Sequence, residues 1–172
     1  WTQALVTALL LVVTLFTFFA RIITVDGDSM LNTLYDNDRV LVSNLFYTPK
    51  AGDVVIFTLK GLRLPEFGGK DQPLVKRIIA TEGQIVDIDF NTGIVSVDGV
   101  PLDETYVREL THRQFDLSFP LRVPEGCVFV MGDNRNHSMD SSNSSVGPLT
   151  DEMVLGKAEF VMWPLNMMHG LE

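Results

Sequence analysis

The sequence predicts a mainly β fold: an N-terminal transmembrane helix followed by an all-β domain of sandwich or barrel type. Two observations predict it. The opening twenty residues, WTQALVTALLLVVTLFTFFA, contain no charge, no Pro and no Gly. Beyond Arg21 the chain becomes a series of short β-branched runs separated by turn residues, the pattern of a sandwich or barrel.

A helix of twenty residues spans about 30 Å, the thickness of a bilayer's hydrocarbon core. A buried core helix would carry a polar stripe, and the only polar residues here are Thr2, Gln3, Thr7, Thr14 and Thr17. A cleaved leader would have a shorter apolar core and a small-x-small exit, which Phe18-Phe19-Ala20-Arg21 does not provide. Residues 1–21 therefore read as a retained anchor and 22–172 as a separate β-rich domain.

Within that domain Ile22 to Val25 is β-branched, and Arg39 to Val42 follows an Asp-Asn-Asp turn. Val54 to Phe57 follows Gly52-Asp53, and Leu74 to Ala80 is a further run. Gln84 to Asp89 alternates, Asn91-Thr92-Gly93 turns into Ile94 to Val97, and Asp98-Gly99 signals another hairpin. Cys127 to Met131 and Lys157 to Trp163 complete the set, with a short helical turn expected near Thr150 to Val154. The stretch from Gly61 to Gln72, with Pro65, Gly68 and Gly69, reads as an exposed loop.

Composition excludes several classes of function. The net charge is −9, whereas phosphate binding needs clustered Lys and Arg, so nucleic acid is not a partner. Cys127 is the single cysteine, so neither an internal disulfide nor a cysteine-based metal site can form. His112, His137 and His169 lack ligand spacing, so no metal or cofactor is expected.

The chemistry-bearing candidates are Ser29 and Lys76. A serine hydroxyl is a weak nucleophile and needs a base within hydrogen-bond reach. A lysine serves if burial disfavours its charged form. Lys76 lies in Leu74-Val75-Lys76-Arg77-Ile78, so strand alternation faces it with Leu74 and Ile78. Taken singly, Ser29 is a turn serine after Asp26-Gly27-Asp28, and Lys76 a strand lysine with its amine in water. Cys127 is expected to pack in its strand. Asp103, Glu104 and Glu109 are expected on the solvated surface.

The order of motifs alters that reading. The apolar segment, Gly27-Asp28-Ser29-Met30 with Thr33-Leu34, Gly52 to Phe57, Lys76-Arg77-Ile78-Ile79 with Gly83, and Gly132-Asp133-Asn134-Arg135 with Ser138 to Ser141 together resemble type I signal peptidases. The resemblance covers nearly the whole chain. The short form with one anchor and a Gly two residues before the serine is most similar to the Gram-positive bacterial branch. It implies a membrane-anchored serine endopeptidase that removes signal peptides from secreted preproteins through an acyl-enzyme. It implies Ser29 as nucleophile and Lys76 as general base. Ser138 would orient the lysine amine by a hydrogen bond, Asp140 would lie near the dyad, Arg77 and Asp133 would form a propping pair, and Met30 would line the substrate cleft. The peptidase domain would lie on the extracytoplasmic side of the cell membrane below a single pass. Its partners would be preproteins with small residues before the cut, the lipid bilayer and the secretion translocon.

Three residues depart from the family pattern. Asn32 and Glu82 replace usual prolines, and Ser142 replaces an arginine that would pair with Asp140. Asp140 is thus expected to lack its usual partner, to raise the pKa of Lys76 and to demand a more alkaline pH. Two further readings stand beside the enzyme. A self-cleaving Ser-Lys repressor would need a DNA-binding region, which this acidic chain does not offer. A catalytically impaired relative, acting as a binding component of the secretion machinery, would draw on Asn32 and Ser142. His137 is a weaker candidate base beside Ser138, because the histidine of the endoplasmic-reticulum branch occupies the position that Lys76 holds here.

Overall fold

The computed structural model describes residues 1–59 and 73–171. The loop expected between Gly61 and Gln72 lies outside the described residues. The opening apolar run forms α1 (Thr2–Phe19), which presents Leu5, Leu9, Leu10 and Leu11 as exposed side chains. Among the described residues no helix is long and apolar enough to cross a membrane. The chain passes directly from α1 into β1 (Ala20–Thr24), so the first strand begins just inside the expected anchor boundary.

Among the described residues the remainder is built on two antiparallel sheets. The larger contains β1, β2 (Arg39–Ser43), β3 (Val54–Phe57), β4 (Leu74–Thr81), β9 (Cys127–Met131), β10 (Leu149–Thr150), β11 (Val154–Trp163) and β12 (His169–Gly170). Its order is β1-β2-β11-β3-β4-β9-β10, with β12 pairing β11. The smaller runs β7-β6-β5-β8, from β5 (Ile85–Asp89), β6 (Ile94–Val97), β7 (Val100–Pro101) and β8 (Leu121–Arg122). A 3-10 turn over Asp151–Met153 leads into β11, as the sequence suggested. Asp98 and Gly99 both take positive φ, at 52° and 79°. They close the β6–β7 hairpin, in which Val97 faces Val100.

Three apolar clusters hold these sheets. Val54 and Ile56 pack with Val40, Val42, Met30 and Leu34 in one. Val55 and Phe57 pack with Ile78, Val130 and Leu149 in another. Both faces of β3 are thus buried, which explains its unbroken apolar run where alternation would mark a half-exposed strand. A register shift between Ile78 and Ala80 in β4 accompanies Ile79 and Ala80 entering the third cluster. There they meet Val86, Ile88, Val95, Val97 and Phe129, and the smaller sheet is bound to the larger. Cys127 packs against this third cluster, as expected of a strand cysteine.

Phe129 is fully buried and meets Phe119 edge-on, with ring centroids 6.0 Å apart. Phe129→Ala should therefore lower unfolding stability by about 3–5 kcal/mol, read by urea denaturation. A loss below about 1 kcal/mol would show that this cluster does not hold the two sheets together.

Candidate active site

Ser29 is held by its neighbours on either side. Val25 closes the end of β1 through hydrogen bonds from its N–H to the Asp38 carbonyl (2.8 Å) and from the Asn37 N–H to its own carbonyl (2.9 Å). Met30 and Leu34 are buried in the first cluster. The Leu34 N–H donates to the Met30 carbonyl at 2.9 Å, so the segment forms a tight turn. Ser29 sits half-buried between these two anchors.

Lys76 comes from the middle of β4, opposite Val55, with 3% of its surface exposed. Its Nζ lies 2.7 Å from Ser29 Oγ and donates to the Val75 carbonyl at 3.0 Å. Burial pulls its pKa down to about 8, against the opposing pull of Asp140, Asp133 and Asp28. Leu74 and Ile78, its alternation partners, pack in the cluster around Val55. The strand environment inferred from the sequence is the one found.

The Gly132-Asp133-Asn134 segment leaves β9 and docks on the serine turn. The Asn134 N–H donates to the Ser29 carbonyl at 3.0 Å, and its Nδ2 donates to the Asp28 carbonyl at 3.0 Å. Asp133 accepts from Arg77 Nε at 3.0 Å and Nη2 at 2.8 Å, the bidentate geometry that suits a guanidinium and a carboxylate. Thr33 Oγ1 also donates to Asp133. Arg77 donates further to the Gly52 carbonyl at 2.7 Å and lies 4.1 Å from the Tyr106 ring centroid. The expected Arg77–Asp133 pair is present and joins the serine turn to β4.

Three expectations for the surroundings are corrected. Asp140 has no arginine beside it among the described residues, as expected, but it is not left without partners: its Oδ1 accepts from Ser142 Oγ at 2.7 Å and from the Ser142 N–H at 3.2 Å, and its Oδ2 from the Gly132 N–H at 3.1 Å. The residue that replaces the family arginine itself satisfies the carboxylate. Glu104 is not on the solvated surface, because it forms a buried ion pair with Arg135. Ser138 is buried beside the pair, but its hydroxyl has no hydrogen-bond partner, so the orienting bond to Lys76 is not made in this structure. Met30 is buried and lines the same cleft as Ser29 and Lys76. Asn32 is exposed, and Glu82 accepts from the Gly126 N–H at 2.8 Å. The exposed His137 lines the cleft, while the hydroxyl of Ser29 is met by Lys76.

The cleft has a volume of about 320 Å³. Its walls come from the segment leading to Ser29, from Pro73 to Lys76, and from residues 137–139 with Arg113. Among the described residues no cluster of His, Cys, Asp and Glu could hold a metal ion. A hydroxyl beside a buried amine of lowered pKa can carry out nucleophilic acyl transfer. Asn134 was not singled out from the sequence, although it lies inside a motif that was. A side-chain amide that supports a carbonyl a hundred residues away leaves no local periodicity to read.

Comparison with known proteins identifies relatives of this chain. The family model described as signal peptidase, peptidase S26 matches residues 1–163. The chain is similar to a probable signal peptidase I-1 of Synechocystis sp., 40% identical over 165 residues, which are 94% of this chain and 81% of that protein. It is 33% identical over 179 residues to signal peptidase I S of Bacillus subtilis, covering 98% of this chain and 90% of that one. It is 37% identical over 147 residues to thylakoidal processing peptidase 1 of Arabidopsis thaliana, covering 82% of this chain and 41% of that one. Relatives from these three sources match at comparable identity, which supports the family rather than its Gram-positive branch.

Gly132 exposes the tightness of the site to test. A Cβ there would stand 2.4 Å from Ser138 Oγ and 2.5 Å from the Ser29 carbonyl oxygen, well inside contact distance. Gly132→Ala should force the serine turn away from Lys76, cost about 1–3 kcal/mol and cut labelling by a serine-directed fluorophosphonate at least about tenfold. Unchanged labelling would show that the docking of this segment does not position the hydroxyl.

Proposed function

The chain belongs to the signal peptidase family, peptidase S26, and from that premise we propose that Ser29 and Lys76 are its nucleophile and base. As a member it is a serine peptidase, a hydrolase that removes signal peptides from preproteins. The observation that carries the dyad is the 2.7 Å contact between Lys76 Nζ and Ser29 Oγ. A lysine whose pKa is near 8 is neutral in about one molecule in ten at pH 7, against well under one in a thousand for an ordinary lysine, so it can accept a proton.

In the proposed reaction Ser29 Oγ attacks the carbonyl carbon of the scissile peptide while neutral Lys76 takes the hydroxyl proton. The ammonium passes that proton to the leaving amine, the C–N bond breaks, and an acyl-enzyme remains. Water then adds to the ester as Lys76 accepts its proton. The Ser29 oxygen leaves and is reprotonated by Lys76. The Ser29 N–H helps stabilise the oxyanion. Ser138, buried with an unengaged hydroxyl, takes over the Lys76 amine once Ser29 is acylated. Asp140, Arg77 and Asp133 hold the charges around the pair, and Met30 fills the floor of the cleft.

The preprotein lies extended, adding a strand between the segment before Ser29 and the start of β4. Small side chains before the cut fit against Val25 and Leu74–Val75. Residues 1–19, which end with α1 before Ala20 and Arg21 pair into β1, serve as a single-pass anchor in the cell membrane, supported by their lack of charge and by the exposed leucines of α1. Residues 22–172 form the peptidase domain on the extracytoplasmic side, beside the translocon. A catalytically impaired relative is less well supported, because Ser142 satisfies the carboxylate that its presence was expected to strand.

Ser29→Ala and Lys76→Ala should each lower cleavage of a preprotein carrying Ala-x-Ala before the cut by at least about 10²–10⁴-fold, measured by gel shift of the processed product. Full activity in either variant would end the dyad proposal.

The pH dependence follows from the direction of the lysine shift. Lys76 is protonated below about pH 8, so kcat/KM should rise about tenfold per pH unit below that value and level off above it. Asp140 is the foremost of the charges that raise the lysine pKa. Asp140→Asn should therefore move the rising limb to lower pH. A limb that stays in place, or moves to higher pH, would remove Asp140 from the tuning of the base.

A further inference from the structure

Three segments wall the cleft at Ser29, and the reading above uses two of them for residues before the cut. The third is residues 137–139, whose Ser138 packs on Gly132 beside the Ser29 carbonyl. Arg113 joins this wall from a loop distant in sequence. A set of specific bonds fixes its position. Asn136 Oδ1 accepts from the N–H groups of His112 and Arg113, both at 2.9 Å. Asn136 Nδ2 donates to the Leu110 carbonyl at 3.0 Å, and Arg113 Nη1 donates to the Asn136 carbonyl at 3.3 Å. The guanidinium lies over the Phe115 ring, 4.5 Å from its centroid, a stacking that orients a flat cation. Among the described residues no carboxylate forms an ion pair with it. The segment before Ser29 carries the opposite sign, with Asp26 and Asp28 exposed on the cleft.

We propose that Arg113 is a specificity-determining residue that favours an acidic side chain within the first few residues after the cut. The proposal rests on the Ser29–Lys76 reading. A chain that fills the two walls before the cut and passes Ser29 continues along the third wall, where Arg113 presents its N–H groups. Asp26 and Asp28 repel a carboxylate placed before the cut. Together the charges disfavour a carboxylate before the scissile bond and favour one after it.

The test uses the purified full chain in detergent and peptides that share Ala-x-Ala before the cut. Asp, Asn or Lys is scanned through the first few positions after it, and kcat/KM is measured. At one position Asp should exceed Lys by about three- to fivefold, the range of a solvent-exposed ion pair, and the ratio should shrink in high salt. Arg113→Gln should abolish the ratio, Arg113→Glu should invert it, and Arg113→Lys should retain it. Equal cleavage of Asp and Lys peptides, or a preference that survives in Arg113→Gln, overturns this inference alone. Failure to cleave any peptide overturns the dyad reading and this inference with it.

Discussion

Moving an ammonium out of water costs several kcal/mol unless it is paired or gives up its proton. Lys76 meets that cost by standing in β4 between two buried strands, with 3% of its surface exposed. Its immediate polar contacts are a hydroxyl and its neighbour's carbonyl, neither of which carries a charge. Asp140 and Asp133 are near enough to oppose the loss of the proton, but not to prevent it. The larger sheet therefore does more than support the site. By burying both faces of β3 and the centre of β4, it removes the solvent that would otherwise keep the lysine charged.

That burial is useful only if the hydroxyl is brought to the amine, and the chain achieves this with backbone contacts. The serine turn is tied to the core by Met30 and Leu34 and to the segment after β9 by Asn134. Gly132 permits the approach, because any side chain there would collide with the Ser29 carbonyl and Ser138. Arg77, the residue next to the lysine, points to Asp133 and Gly52. Consecutive residues of one strand thus divide the work, with Lys76 meeting the hydroxyl and Arg77 bracing the segment that positions it.

The strand runs were legible because β-branched clusters bounded by Gly, Asp and Asn read as strands, and β2, β3, β4 and β6 fall where those clusters lie. The strands β7, β8, β10 and β12 have two residues each, too few for any periodicity. Ser29 and Lys76 were legible through motif order, since each alone has an ordinary local explanation. The partner of Asp140 was not legible. Expecting a cation there followed the family pattern, while the actual solution uses a hydroxyl two residues away, which resembles any loop serine. Glu104 was misjudged for a related reason: nothing in a polar loop sequence announces that Arg135 will fold over it.

The exchange of arginine for Ser142 bears directly on the base. An arginine beside Asp140 would offset its charge, and the lysine would feel burial with less opposition. Ser142 and the Gly132 N–H stabilise the same carboxylate by hydrogen bonds that leave its charge in place. Asp133, by contrast, is paired with Arg77, so much of its influence on the lysine is offset. Asp140, which has no cationic partner among the described residues, is then the foremost charge opposing the loss of the Lys76 proton. Burial thus sets the direction of the lysine shift, and a carboxylate held in place by neutral donors limits its extent. A substitution that added a cation at residue 142 would alter the lysine without touching it.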